Sequence, residues 1–250
     1  MVKVSDVYKF MDFLAPYNTA DTWDNTGLSV GSFNNEVKKI AVALDVTGDL
    51  IDFASENGVD LIVTHHPLIF HPLVSVESDT VYYKAVKSGI SFLSAHTNLD
   101  KSLGGVNDCL SYKLGAFDVY TSEYDEFLKV GSVNPVAPAD FAEIISKNLG
   151  GCVRYCSCNK EITKIAFCGG SGGDLINEAK KEKVDAFVTG DASHHDLLNA
   201  YDMGISMFAA GHFETENPVC GFLYSNLKTE YDGVIDVVLY NGEKIIKTVG

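Results

Sequence analysis

Apolar residues along this chain fall into two alternating rhythms. Lys39–Asp45, Leu61–Thr64 and Ile90–Ala95 are short, nearly unbroken apolar runs, and Ile165–Cys168, Ala186–Thr189 and Ile205–Ala210 are three more. Runs this short, with no alternating polar face, read as strands buried on both sides. Between them lie stretches of helical period. Asp49–Asn57 carries Leu50, Phe53 and Ala54 at helical spacing and stops before Gly58. Val81–Ser88, Asp174–Glu182 and Ser193–Tyr201 read as further helices. Near the N-terminus, Val7, Phe10, Met11 and Leu14 share one face of an amphipathic helix within Met1–Ala20. Tyr120–Asn159 adds a helix over Ala139–Asn148 and room for two strands, with Gly131–Pro138 as its loose stretch. Buried strands alternating with amphipathic helices define an α/β protein with largely parallel sheet.

The pattern then repeats itself. Residues 39–64 align without a gap on residues 164–189, with identical residues at 12 of the 26 positions. Gly89-Ile90-Ser91 and Gly204-Ile205-Ser206 open the next strand of each copy. Internal self-similarity on this scale fixes architecture. The expectation is two pseudo-symmetric α/β lobes from an internal duplication, packed as a single two-lobed unit over 1–250. The first lobe is placed at 1–119 and the second at 120–250, and strands can be exchanged across that boundary.

Composition narrows the function classes. A chain of 250 residues with 46% hydrophobic and 21% charged residues has material for a substantial core. Its formal charge of −15, from 19 Lys+Arg against 34 Asp+Glu, repels phosphate backbones and anionic lipid. Nucleic acid and membrane are therefore poor partners. A small anionic substrate stays possible where bound divalent cations invert the local field. The N-terminus has no targeting pattern, and no apolar run approaches the ~20 residues needed to span a bilayer. A cytoplasmic location follows, where the six cysteines stay reduced. Cys152, Cys156 and Cys158 lack a second ligand pair at structural-zinc spacing. Their shared parity reads instead as one face of a strand.

Candidate chemistry gathers where strands end, which is where ligands bind in open α/β sheets. Thr64-His65-His66-Pro67 follows one strand, and its counterpart in the second copy is Thr189-Gly190-Asp191. The next strands run into His96-x-x-x-Asp100 and His212-x-x-x-Glu216. Two matched His…carboxylate pairs read as the halves of one metal site lying between the lobes. His65 and His66 serve one centre only if the chain turns there, as Pro67 favours; otherwise each binds a different metal. If a helix opens at Phe213, His212 and Glu216 project from one face. The mixed N/O set suits zinc, iron, manganese, cobalt or nickel. Each residue also has a plainer explanation, such as Asp100 capping a helix, but their recurrence at matched points of two repeats favours metal. His71 reads as structural.

In order along the chain stand Asp21-x-Trp23-Asp24-Asn25-x-Gly27-Leu28, Leu44-Asp45-Val46-Thr47, Thr64-His65-His66-Pro67-Leu68, His96-Thr97-Asn98-Leu99-Asp100, Thr189-Gly190-Asp191 and Gly211-His212-x-x-x-Glu216. This series closely resembles the GTP cyclohydrolase 1 type 2 homologue family, the Nif-three-like group that includes the YbgI-like proteins. The resemblance runs from about Val4 to about Val238, in the short form without a large insert. It implies a two-lobed α/β fold, two divalent metal ions and a homo-oligomer built as a hexameric ring. By motif, His65 and His212 would bind one metal, His66 and Asp100 the other, and Glu216 would bridge them. His96 becomes the general acid–base, and Asp191, with His194 and His195 close by, stands ready to contact substrate. Trp23 and Asn25 have no assigned role; an anchoring place for Trp23 in the core is the simpler reading.

Two functions from different classes follow. The first is a dinuclear metal-dependent hydrolase of a nucleotide or other small substrate, GTP cyclohydrolase-like, using metal-activated water. The second is a metal-binding scaffold or regulatory assembly protein without turnover. No Gly-x-x-x-x-Gly-Lys phosphate loop is present. Gly169-Gly170-Ser171-Gly172-Gly173 precedes a helix and could offer N–H groups to an anion, and a tight strand-to-helix turn explains it equally well.

Overall fold

The computed structural model describes Met1–Gly242 and Lys244–Lys247. The chain divides into two compact units, one made of Met1–Gly105 with Val219–Lys247, the other of Val106–Pro218. The first unit opens with α1 (Val4–Leu14), β1 (Gly27–Val30), β2 (Lys39–Ala43) and α2 (Gly48–Glu56). It continues with β3 (Leu61–Thr64), α3 (Val81–Ser88), β4 (Ser91–Ser94) and α4 (Thr97–Lys101). The second unit runs through α5 (Val106–Leu114), β5 (Phe117–Thr121), β6 (Lys129–Val136), α6 (Pro138–Leu149), β7 (Arg154–Cys156) and β8 (Ile162–Phe167). Then come α7 (Ile176–Lys181), β9 (Ala186–Thr189), α8 (His194–Asp202), β10 (Ser206–Ala209) and α9 (His212–Glu216). The last described elements are α10 (Pro218–Glu230) and β11 (Asp236–Leu239), and β11 joins the first sheet.

The first sheet has the order β1-β4-β3-β2-β11, parallel except for β1. The second has the order β5-β6-β8-β9-β10-β7, with β8, β9 and β10 parallel and β6 and β7 antiparallel to their neighbours. The duplication survives in the register. Ile40 pairs with Leu61 in one sheet as Ile165 pairs with Ala186 in the other. Each third parallel strand carries an antiparallel strand at its edge, β1 on β4 and β7 on β10. A further strand flanks each first parallel strand as well, β11 in one sheet and β6 in the other.

Side chains hold both copies in the same way. Asp60 Oδ2 accepts hydrogen bonds from the Lys38 and Lys39 N–H groups at 2.7 and 3.0 Å. Asp185, its aligned counterpart, accepts from the Thr163 and Lys164 N–H groups at 3.0 and 2.9 Å and from Thr163 Oγ1 at 2.9 Å. Each carboxylate thus fastens the start of its neighbouring parallel strand. Burial raises the Asp185 pKa, but hydrogen bonds from Lys164 and Thr163 outweigh it and leave the carboxyl below its ordinary value. The sign follows directly: a depressed folded pKa stabilises the protein above the unfolded value of about 3.9 and loses that effect as pH falls through the folded value. Asp185→Ala is expected to cost about 1–2 kcal/mol at pH 7, discounted for partial exposure. Urea unfolding at pH 7 and pH 3 checks it, since the gap to wild type should shrink at the lower pH.

Burial explains the apolar runs. In the second unit, Ile165 and Phe167 face Leu110, Phe141 and Ile145 from α5 and α6. Ala166 and Phe187 face the other way, towards Ile176, Ala179 and Ala200 from α7 and α8. Both faces of the parallel strands are covered, so neither face can be polar. In the first unit Ala41, Ile62 and Phe92 pack with Leu50, Ile51 and Ala54 of α2 and Ala85 of α3. The N-terminal helix buries Val4, Val7 and Met11, with Phe10 and Leu14 half-buried.

Several local expectations shift. The 174–182 helix begins as a 3₁₀ turn over Gly173–Leu175 before α7 takes over. The cysteine row does not form, because β7 is only three residues long. Cys152 is exposed, while the half-buried Cys156 and Cys158 direct their thiols at the carbonyls of Ile205 (3.9 Å) and Tyr201 (3.8 Å). Among the described residues, no helix is long and apolar enough to cross a membrane.

Candidate metal centre

In the first unit the candidate donors come from the carboxyl ends of β3 and β4. After Thr64 the chain turns: the His66 N–H donates to Leu44 O at 3.0 Å, and Thr64 Oγ1 donates to His66 O at 2.7 Å. The turn brings the two adjacent rings together. The His65 and His66 rings lie on one side, 4.8 Å apart at 44°. Their nitrogens and one from His96 all fall within 4.8 Å of one another, an arrangement that could hold a metal ion. Asp100 sits inside α4 rather than at a helix start, so it is not a cap. Its Oδ1 is 3.6 Å from His65 Nε2.

In the second unit α9 opens at His212, following Gly211 with φ of 93°. His212 and Glu216 therefore project from one helical face, with Nε2 and Oε2 3.2 Å apart. Glu216 is buried and His212 half-exposed.

Every one of these imidazoles is held by its Nδ1. His65 Nδ1 lies 3.0 Å from the Ala95 carbonyl, His66 Nδ1 2.6 Å from Asp45 Oδ1, and His96 Nδ1 2.9 Å from Asp24 Oδ1. His212 Nδ1 lies 2.8 Å from Asp191 Oδ2. A carbonyl only accepts, so His65 carries its proton on Nδ1 and presents the Nε2 lone pair. Carboxylates at the other three impose the same tautomer. Metal-binding histidines use this device, in which the second ring nitrogen donates to a carboxylate or carbonyl and orients the first. The donor chemistry fits divalent cations.

The duplicated positions have diverged in a telling way. Asp191 aligns with His66, so the position supplying a candidate ligand in one copy supplies the ligand's anchor in the other. Gly170 aligns with Asp45, and here the second copy has discarded a side chain altogether. A Cβ at Gly170, where φ is +63°, would collide with Glu216 Oε1 and meet His212 Cε1 at 3.4 Å. A Cβ at Gly190 would come within 2.8 Å of the His212 Cα. Gly169, Gly170 and Gly190 let backbone pack against α9. Three N–H groups of the glycine-rich run are used within the unit: Gly169 donates to Asn107 Oδ1 of α5, Gly170 to Thr215 Oγ1 of α9 and Gly172 to Thr189 Oγ1 of β9. These bonds belong to a tight strand-to-helix turn, and they leave the N–H groups of Gly169, Gly170 and Gly172 turned to protein acceptors.

Sequence reasoning left Asp24, Asp45 and Trp23 without roles. The side chain of Asp24 lies out of solvent, while the residue as a whole is half-buried. Burial raises its pKa, but hydrogen bonds from His96 and from the Thr97 side chain and N–H hold it below the ordinary carboxylate value. Trp23 is not in the core. Its indole N–H donates to Asp21 Oδ2 at 3.0 Å and the residue stays 57% exposed. Asn25 donates to the Ile69 carbonyl at 2.7 Å. His194 and His195 are exposed on the first turn of α8, their rings 5.6 Å apart.

An α/β protein of duplicated sequence, with His–carboxylate pairs beyond its strand ends, is thus a potential metal-binding protein. The family model described as Duf34/NIF3 (NGG1p interacting factor 3) matches residues 2–244. A Clostridium perfringens protein named GTP cyclohydrolase 1 type 2 homolog is 33% identical over 251 residues, spanning 95% of this chain and 96% of its own length. A Campylobacter jejuni protein of the same name is 35% identical over 233 residues, with 91% and 92% covered. The crystal structure of Staphylococcus aureus protein SA1388 superposes with a TM-score of 0.90 at 26% identity, covering 99% of each chain. The chain belongs to the Duf34/NIF3 family.

Proposed function

We propose that this chain is a metal-dependent hydrolase of a nucleotide or another small substrate, of the GTP cyclohydrolase type. Its donors would be His65, His66, Asp100, His212 and Glu216, holding two divalent cations drawn from zinc, iron, manganese, cobalt or nickel. The observation that carries the proposal is the uniform anchoring of Nδ1, which presets Nε2 of each ligand histidine for metal. The names of the relatives point to the same reaction type. Bound cations would acidify water toward neutral pKa and polarise the bond under attack. His96, its Nδ1 fixed by Asp24, would exchange a proton with the reacting group through Nε2. On a guanine ring, one water would add at the carbon between the imidazole nitrogens and break one C–N bond to leave a formamide, and a second would break the other C–N bond to release formate and the amine. Asp191, His194 and His195 are the substrate contacts we propose from the second unit. The assembly we propose is a cytoplasmic homo-oligomer, the hexameric ring implied by resemblance, which light scattering of the purified protein tests.

Formate release from GTP by metal-loaded protein is the direct assay, with Glu216→Ala alongside. Turnover is expected in the wild type. The variant should fall by at least about 100-fold and lose bound metal by elemental analysis. Equal turnover in both would place the chemistry elsewhere. No turnover in either, with metal bound, would drop guanine ring opening and favour another substrate or a scaffold without turnover.

A further inference from the structure

The Asp21-Thr22-Trp23-Asp24-Asn25 segment does three jobs at once in the first unit. Asp24 holds His96. Asn25 clips the loop at Ile69, next to Phe70. Asp21 fixes the indole of Trp23, and is itself held by Lys101 Nζ at 2.6 Å and by its own N–H donating to Thr97 Oγ1 at 3.0 Å. The result is a triangle of rings. Trp23 lies 5.7 Å from Phe70 and 6.0 Å from His96, and Phe70 lies 5.6 Å from His96. His96 in turn sits 5.1 and 5.5 Å from the His65 and His66 rings.

Yet Trp23 is 57% and Phe70 41% exposed. A single exposed aromatic is commonplace, but two in contact, beside the candidate donors and braced from behind, form an apolar surface that a ligand would cover. The indole N–H is already bonded to Asp21, so it is the ring, tilted 45° to that of Phe70, that Trp23 would offer a ligand. The loop carrying Phe70 is peculiar to the first copy: Gly89 follows Thr64 by 25 residues, whereas Gly204 follows Thr189 by 15.

We infer that Trp23 and Phe70 form a stacking platform for the planar heteroaromatic ring of the substrate, of nucleobase class, and present that ring's edge to His96. This rests on the hydrolase reading for the role of His96, but not for the binding itself. Stacking on an aromatic face suits any flat base and needs no hydrogen-bond code. The proximity of His96 would then decide which ring atom reacts.

Trp23 is the chain's single tryptophan, so its fluorescence reports this place alone. Metal-loaded protein is titrated with guanosine, and separately with ribose 5-phosphate, which has no aromatic ring. Saturable quenching by guanosine and none by ribose 5-phosphate is the expected result. Phe70→Leu, which keeps apolar bulk, should weaken guanosine by about tenfold with an unchanged melting temperature. Trp23→Leu, followed by calorimetry, should weaken it at least as much. Unchanged guanosine affinity in both variants would overturn the platform. So would equal quenching by ribose 5-phosphate, or emission that tracks protein concentration and ignores guanosine, which would mean that a second copy covers the rings. Guanosine binding through Trp23 without any formate release supports the platform and drops only the cyclohydrolase reaction. GTP turnover with an unchanged KM in Trp23→Leu sinks the platform and leaves the hydrolase standing.

Discussion

Asp24→Asn is expected to lower kcat by about 10²- to 10⁴-fold while bound metal and KM stay near wild type. The reason is a proton placed on the wrong nitrogen. Asp24 Oδ2 accepts both the Thr97 N–H (3.0 Å) and the Thr97 hydroxyl (2.6 Å), and Oδ1 faces His96 Nδ1. In the variant, the two Thr97 donors retain the amide oxygen, so the NH₂ is turned towards His96. Nδ1 must then accept, and the proton moves to Nε2, where the reaction we propose needs a lone pair. An aspartate that sets the tautomer of a catalytic histidine is worth up to about 10⁴ in rate, and an outer partner of a metal site about 10–100-fold. The substitution should also cost about 1–3 kcal/mol of stability at neutral pH. Because hydrogen bonds to the charged form depress the Asp24 pKa in the fold despite burial, that difference exists above its unfolded value and fades as pH drops through the folded one. Steady-state kinetics, elemental analysis and denaturation at two pH values separate the three effects.

The second large effect comes from adding one methyl group. Gly170→Ala is expected to destabilise the protein by about 2–4 kcal/mol and to remove metal from the His212–Glu216 pair. Two penalties combine. A left-handed φ costs a non-glycine residue roughly 1 kcal/mol, and forcing a Cβ onto the Glu216 carboxylate adds overpacking of about 1–3 kcal/mol. Gly58 isolates the first penalty, since its φ is +64° and nothing lies within 4 Å of the Cβ it would gain. Gly58→Ala should therefore lower the melting temperature by roughly 2–4 °C, and Gly170→Ala by two to three times as much. Only the latter should reduce metal per chain. Equal metal content in the two variants would mean that the glycine run is not what positions Glu216.

Much of this protein is legible before any fold is known. The strands at 61–64 and 186–189 and the helix at 81–88 are observed where the apolar pattern puts them, because burial on both faces leaves a local, continuous signature. The i,i+4 relation of His212 and Glu216 is likewise local, requiring only that α9 form. The elements that escaped notice lack such a signature. Both β1 and β11 are only partly buried, unlike the fully buried β3 and β9 of the same length, and β11 pairs with β2 from a distant part of the chain.

Sequence by itself determined the alternation of strand and helix, the duplication and which side chains stand beyond the strand ends, since each depends on neighbours within a turn or two. Only the tertiary structure decided what those side chains do. Asp24 reaches His96 across 72 positions, and Asp45 and Asp191 reach His66 and His212 across 21 each. No local pattern encodes such pairings; Asp45–His66 and Asp191–His212 arise where parallel strands end side by side, and Asp24–His96 where antiparallel β1 starts beside the end of β4. The same assembly turned Trp23 outward against Phe70 and emptied Gly170 for Glu216, because space around a side chain is a property of the packed chain and not of its order.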